Sequence, residues 1–282
     1  MKRAWIFARC CLPVISATAL LLAAPVDAAT PSPPAATDSA AVSKDAIAAL
    51  ERMSALLRSL QQFELRVDGH RELVTTDGQK LQFHTVSFYQ AKMPNKLAVE
   101  TRNLFTHEVA LFDGQKLVLV RPDVGIYAEA PFKGTVDAML QVAYDQYGID
   151  FPVQDMFRWG QETSWLGEPR GAMVVGPDIV DGWMTTQYAV RMGTADFQIW
   201  IDQGDKPIPR RLVITDLTDP TRPQYTANFT WNLKVNLEDS LFSLPAAPAQ
   251  DAVRPRQVPM EDATGQKQAD AARLTGKGRT AR

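Results

Sequence analysis

Cysteine is nearly absent from this chain of 282 residues. Cys10 and Cys11 stand side by side near its start, and no other follows. Beyond residue 11 there is no thiol to form a disulfide, act as a thiolate nucleophile or bind a metal. Histidine is also scarce: His70, His84 and His107. "THEVALF" contains a His-Glu pair, but Leu111 stands where a HExxH zinc site needs its second histidine. The chain has no Gly-x-Ser-x-Gly elbow, phosphate loop or dinucleotide glycine fingerprint. No excess of positive charge is present either; the formal net charge is −2. A chain without a basic surplus is a poor partner for nucleic acid. These absences argue against a cofactor, a metal and a motif-based enzyme.

What is present begins with a three-part leader. "MKRAWIFAR" is basic, "CCLPVISATALLLAA" is mostly apolar, and Val26 and Ala28 stand where a signal peptidase reads. The apolar run is 15 residues long, short of the roughly 20 that a spanning helix needs. Residues 1–28 are therefore expected to be a secretory signal peptide, cut after Ala28, which directs the protein to the periplasm.

Two further segments have the composition of unfolded chain. Residues 29–42 are rich in Pro, Ala, Ser and Thr, as linkers are. Residues 245–282 hold seven basic and four acidic residues and have no aromatic and no isoleucine. Such a segment buries too little apolar area to offset the entropy of ordering, so a disordered basic tail is expected. Between them, residues 43–244 are long enough for one domain with a substantial core.

That domain opens with a helix. Ser43 suits its cap, and Ile47, Leu50, Met53, Leu57 and Leu60 form an apolar stripe at three- and four-residue spacing. A succession of short alternating segments follows, punctuated by Asp77-Gly78, Asp113-Gly114 and Asp181-Gly182. Strands joined by short turns predict an antiparallel meander of about ten strands. The pattern breaks at "GTVDAMLQVAYDQYG", a helical repeat with Thr135 to cap it and Gly148 to stop it. "DFPVQDMFRWG" reads as a second short helix.

The last alternation is the longest. In "QYTANFTWNLKVNL", residues 224–237, every second residue from Tyr225 to Leu237 is apolar. A strand of about thirteen residues would span roughly 40 Å. Long antiparallel strands twist, so the sheet should curl and present a concave face.

With that order of elements the chain resembles the superfamily of the periplasmic lipoprotein carrier LolA and the outer-membrane receptor LolB. The likeness rests on the leading helix, the mid-chain helices, "FQIWIDQGDKPIPRRLVITD" and the closing "LFSLP". "IDFPVQDMFRWG", residues 149–160, resembles more narrowly an uncharacterised family of predicted periplasmic proteins with that fold. The resemblance implies a mainly β fold with α: a curved antiparallel half-barrel of ten or eleven strands, with an N-terminal helix and two mid-chain helices on its concave face. It also implies an apolar cavity for acyl chains. This chain departs from LolB-like proteins in having no lipidation cysteine.

On this reading the cavity wall is Leu65, Val67, Phe197, Ile199, Ile201, Leu212, Ile214, Phe229, Trp231 and Leu233. The lid is Met139, Leu140, Tyr147, Met156 and Phe157. The expected function is a monomeric periplasmic carrier for a lipid or an acylated protein, working by burial and making transient contact with envelope membrane proteins. Two alternatives stand beside it. One is an envelope assembly module with a filled core; the other is a secreted hydrolase using a pair of carboxylates.

Overall fold

The computed structural model describes residues 42–149, 151, 153, 168–244, 255–260, 263 and 264. Helix α1 (Lys44–Ser59) comes first. Six strands follow: β1 (Gln62–Val74), β2 (Lys80–Lys92), β3 (Lys96–Asn103), β4 (His107–Phe112), β5 (Lys116–Arg121) and β6 (Ile126–Pro131). Helix α2 (Val136–Tyr147) precedes five more: β7 (Gly171–Val180), β8 (Trp183–Arg191), β9 (Ala195–Asp202), β10 (Pro209–Asp216) and β11 (Gln224–Asn232). A turn of 3-10 helix (Asp239–Phe242) and strand β12 (Arg256–Gln257) complete the described elements.

The signals read from sequence act as expected at both helices. The Ser43 hydroxyl accepts from the Ala46 amide, and the Thr135 hydroxyl from Ala138. Gly148 takes the left-handed conformation (φ 65°), and its amide closes on the Tyr144 carbonyl. The expected second mid-chain helix lies almost wholly outside the described residues.

The strands form one open, curled sheet in the order β12-β6-β5-β4-β3-β2-β1-β11-β10-β9-β8-β7. It consists of two antiparallel meanders, β1–β6 and β7–β11. They are sewn together by β1 and β11, whose register places Leu65 opposite Trp231 and Val67 opposite Phe229. The count is twelve strands, not the expected ten or eleven. The additional strand is β12, which pairs in parallel with β6. It comes from the tail whose composition pointed to disorder.

The long alternation near the C-terminus also ends differently. β11 stops at Asn232 instead of running to Leu237. The reason is its partner: Asn232 pairs with Glu64, and β1 begins only two residues earlier, at Gln62. The side chains beyond keep alternating but change sides. Phe229, Trp231 and Leu233 pack in the main core. Val235, Leu237, Phe242 and Leu244 instead join Ala98, Leu111, Val118 and Val120 in a second apolar cluster. Ala98 and Leu111 are register partners, as are Leu111 and Val118, so this cluster lies on the opposite face of β3–β5. The segment after β11 therefore crosses behind the sheet and covers its back.

Candidate functional site

The main core lies on the face of the sheet that bears the helices. Register traces one row of side chains across it: Ala128, Leu119, Ala110, Val99, Tyr89, Leu65 and Trp231, from β6 to β11. All belong to or pack against one apolar cluster. A second row, Tyr188, Ile199, Leu212 and Ala227, continues the face across β8–β11. Thus both meanders contribute to a single greasy surface. Helix α1 lays Leu50, Met53 and Leu57 on it, and α2 lays Met139, Leu140 and Ala143.

The structure brings the expected wall together. Leu65, Val67, Phe197, Ile199, Ile201, Leu212 and Phe229 are buried in this cluster, and Ile214, Trp231 and Leu233 pack against it half-buried. Of the expected lid, Met139 and Leu140 are buried in the same cluster, with Tyr147 packed at its margin. Met156 and Phe157 lie outside the described residues. Trp231 is held at two points. Its ring meets Phe63 at 5.5 Å between centroids, and its indole N–H donates to the Pro209 carbonyl at 2.9 Å.

Sequence reading missed several members of the site. Val258, Met260 and Ala263 from the tail are buried in the same core as the wall. Arg121 and Glu108, both charged, are also buried, and the Arg121 guanidinium lies 3.3 Å from Asp123. The alternation of Val258 and Met260 in "RQVPM" is the sequence signal that could have found the tail residues. Nothing in the apolar pattern marked the two charges.

None of the titratable groups with displaced pKa values is buried; most sit in ion pairs, while Asp77 and Asp178 are lowered chiefly by hydrogen bonds from Thr75 and Trp200. The His84 imidazole bonded to Asp68 holds that carboxyl below the ordinary range, assisted by Arg66. At Glu100, desolvation pushes upward, but hydrogen bonds from Arg102 and His107 outweigh it and the net shift is downward. Lys92 and Lys96 pull Asp239 down to about 2, at 2.7 and 2.5 Å. His70 and His84 stack at 4.8 Å. No group of three His, Cys, Asp or Glu positioned to hold a metal occurs among the described residues. No helix among them is long and apolar enough to cross a membrane.

A family model described as "Predicted periplasmic protein (DUF2092)" matches residues 46–254. The chain belongs to this family. The family places the protein in the periplasm, and its match spans both meanders and the segment that crosses behind them. No curated protein matches the chain. Among solved structures, MucB is similar at 15% identity and a TM-score of 0.39, over 75% of this chain and 66% of that one. This family member thus spans slightly less than two thirds of the length of MucB. LprF from Mycobacterium bovis is similar at 13% identity and a TM-score of 0.44, over 73% of this chain and 100% of that one. The LolA superfamily protein NE2245 from Nitrosomonas europaea is similar at 10% identity and a TM-score of 0.33, over 71% of this chain and 97% of that one.

Proposed function

We propose that this DUF2092 protein is a periplasmic carrier that holds an acyl chain, from a lipid or an acylated protein, between the helix-bearing face of its sheet and helices α1 and α2. Residues 1–28 are the secretory signal that delivers it, and the mature protein acts as a monomer without a cofactor. The observation that carries this reading is the continuity of one apolar face across two meanders. Thirteen of the fifteen residues chosen from sequence, all that lie in described segments, meet there.

The mechanism is burial. Each CH₂ moved from water into such a surrounding contributes about 0.8 kcal/mol. A chain of about a dozen methylenes offsets a substantial part of the association cost. Wall and lid are closed on each other in this structure, with Leu65, Met139 and Phe229 almost fully buried. Loading therefore requires α1 or α2 to withdraw, and the ligand then takes the place of helix side chains. Methionines at the contact, Met53 and Met139, suit a surface that repacks on ligands of varied shape.

The decisive experiment is native mass spectrometry of the protein purified from the periplasm, together with titration by an environment-sensitive apolar dye. A carrier retains acyl-chain adducts and brightens the dye, and the adducts and dye compete. Protein free of adducts that leaves the dye dark would overturn the reading.

A second reading has its own support. The sheet edge β7 carries exposed Met173, Val174, Val175 and Ile179. Exposed apolar edges of that kind mark sites of pairing with other chains. A filled core behind such an edge would suit an envelope assembly module. Lysine at Val175 and Ile179 would then abolish partner binding and leave the apolar dye unaffected. The carboxylates with displaced pKa values are all lowered and none is buried, whereas a hydrolase's general acid needs a raised one, which favours binding over hydrolysis.

A further inference from the structure

Strand β12 sits at the end of the sheet formed by β4–β6, and it differs from the other strands. It is two residues long, and it pairs in parallel where every other strand pairing is antiparallel. Its ladder to β6 spans Arg256 and Gln257 alone. Arg256 donates to the Gly125 carbonyl at 2.7 Å, and Val258 donates to Tyr127 at 2.8 Å. A side-chain bond from the Tyr127 hydroxyl to Gln257 at 3.3 Å adds to them on the outer side. On the inner side Val258, Met260 and Ala263 enter the apolar cluster shared by the proposed wall and lid. Their sequence origin is separate, because the family match ends at residue 254. The domain common to the family thus stops before this segment begins.

Resting on the carrier reading above, we infer that residues 256–260, with 263 and 264, form an internal strap that occupies the β6 end of the acyl-chain site and must leave before a ligand fills it. The chemistry is that of a mimic. Val258, just after the short strand, and Met260 and Ala263, which are helical, present methyl and thioether groups to the core, the apolar chemistry a hydrocarbon chain would offer. A ladder only two residues long is a short tether, and such elements open locally without global unfolding. The strap therefore competes with ligand for the same apolar surface. Only an apolar chain long enough to reach the β6 end displaces it; a shorter one binds beside it.

The scarcity of cysteine supplies a clean test. Tyr127 and Gln257 are register partners whose side chains meet on the back of the sheet, where Tyr127 borders the second apolar cluster. In the chain from residue 29 onward, Tyr127→Cys with Gln257→Cys creates the only two thiols, at a spacing that neighbouring strands place within disulfide reach. Apolar dye and a long-chain fatty acid are titrated into the same variant, oxidised and then reduced. The locked form is expected to bind the long chain at least tenfold more weakly than the reduced form. A chain ending at residue 254 should bind at least as tightly as the reduced form, and a peptide of residues 255–264 added in trans should weaken it again. Uptake by every form with the same affinity would overturn the strap and leave the carrier reading standing. No uptake by any form, truncated chain included, would overturn both. Should the truncated chain fail to fold, the oxidised and reduced comparison decides alone.

Discussion

Arg210 lies with its guanidinium carbon 3.6 Å from the centre of the Trp183 ring, and the same group reaches Asp202 at 2.6 Å. Both members of the ion pair are largely buried. The arginine spans from the start of β10 to the end of β9 and fixes the turn between them. Removing it leaves the Asp202 carboxylate buried without its cation. Arg210→Ala is expected to lower stability by about 3–5 kcal/mol in denaturant titration. Arg210→Lys should recover only part of that, since an ammonium cannot both stack and fork.

Phe229 is buried at the seam where β11 meets β1. Phe229→Ala should cost about 3–5 kcal/mol, read from the denaturant midpoint. The milder Val67→Ala, across the seam, should cost less. Because the two side chains are register partners, the double variant should show a coupling energy.

Gly69 is roofed by Tyr225. A methyl group at its Cα would stand 2.9 Å from the phenolic oxygen and 3.2 Å from the ring. Gly69→Ala is expected to push the ring aside and cost about 1–3 kcal/mol. Adding Tyr225→Ala to it should make the alanine at 69 nearly neutral, a result that thermal melts would register.

Asp239 responds to acid. Its folded pKa of about 2 lies below the ordinary aspartate value of 3.8. A lowered carboxylate contributes stability that is present above its unfolded value and lost as pH falls through the folded one. The pins from Lys92 and Lys96 to the 3-10 turn should therefore weaken between about pH 4 and pH 2. Chemical shifts of the Leu241 and Phe242 amides would follow that titration, and Asp239→Asn should flatten it. The pair is exposed, so the effect on global stability should be small.

Trp231 reports on the site. Its indole packs beside Phe63 at the edge of the wall. Apolar ligand uptake should shift its emission, and Trp231→Phe should remove that shift while costing about 1 kcal/mol for the lost bond to Pro209.

Much of this architecture was legible in the sequence because the signals were local. Ser43, Thr135 and Gly148 mark helix ends through bonds made within four residues. Asp181-Gly182 marks a two-residue hairpin through the backbone both residues adopt, φ 48° and 82°. The wall residues were legible because alternation fixes which side chains share a face. What was not legible depended on distant partners. Nothing in "NLKVNL" says that β1 runs out of residues to pair with, so Val235 and Leu237 carry the alternation onto the other side of the sheet. The tail, averaged over its length, reads as polar. Its few apolar residues matter only because β6 leaves an edge beside them.

The seam between β1 and β11 also has a consequence in time. Leu65 waits for Trp231, more than 160 positions later in the chain. Contacts so remote form slowly, since a long loop must close before they yield anything. A ribosome or a translocation pore releases β1 well before its partner emerges. Until then the sheet stays in two halves, which suits a polypeptide that must thread through a membrane before it folds.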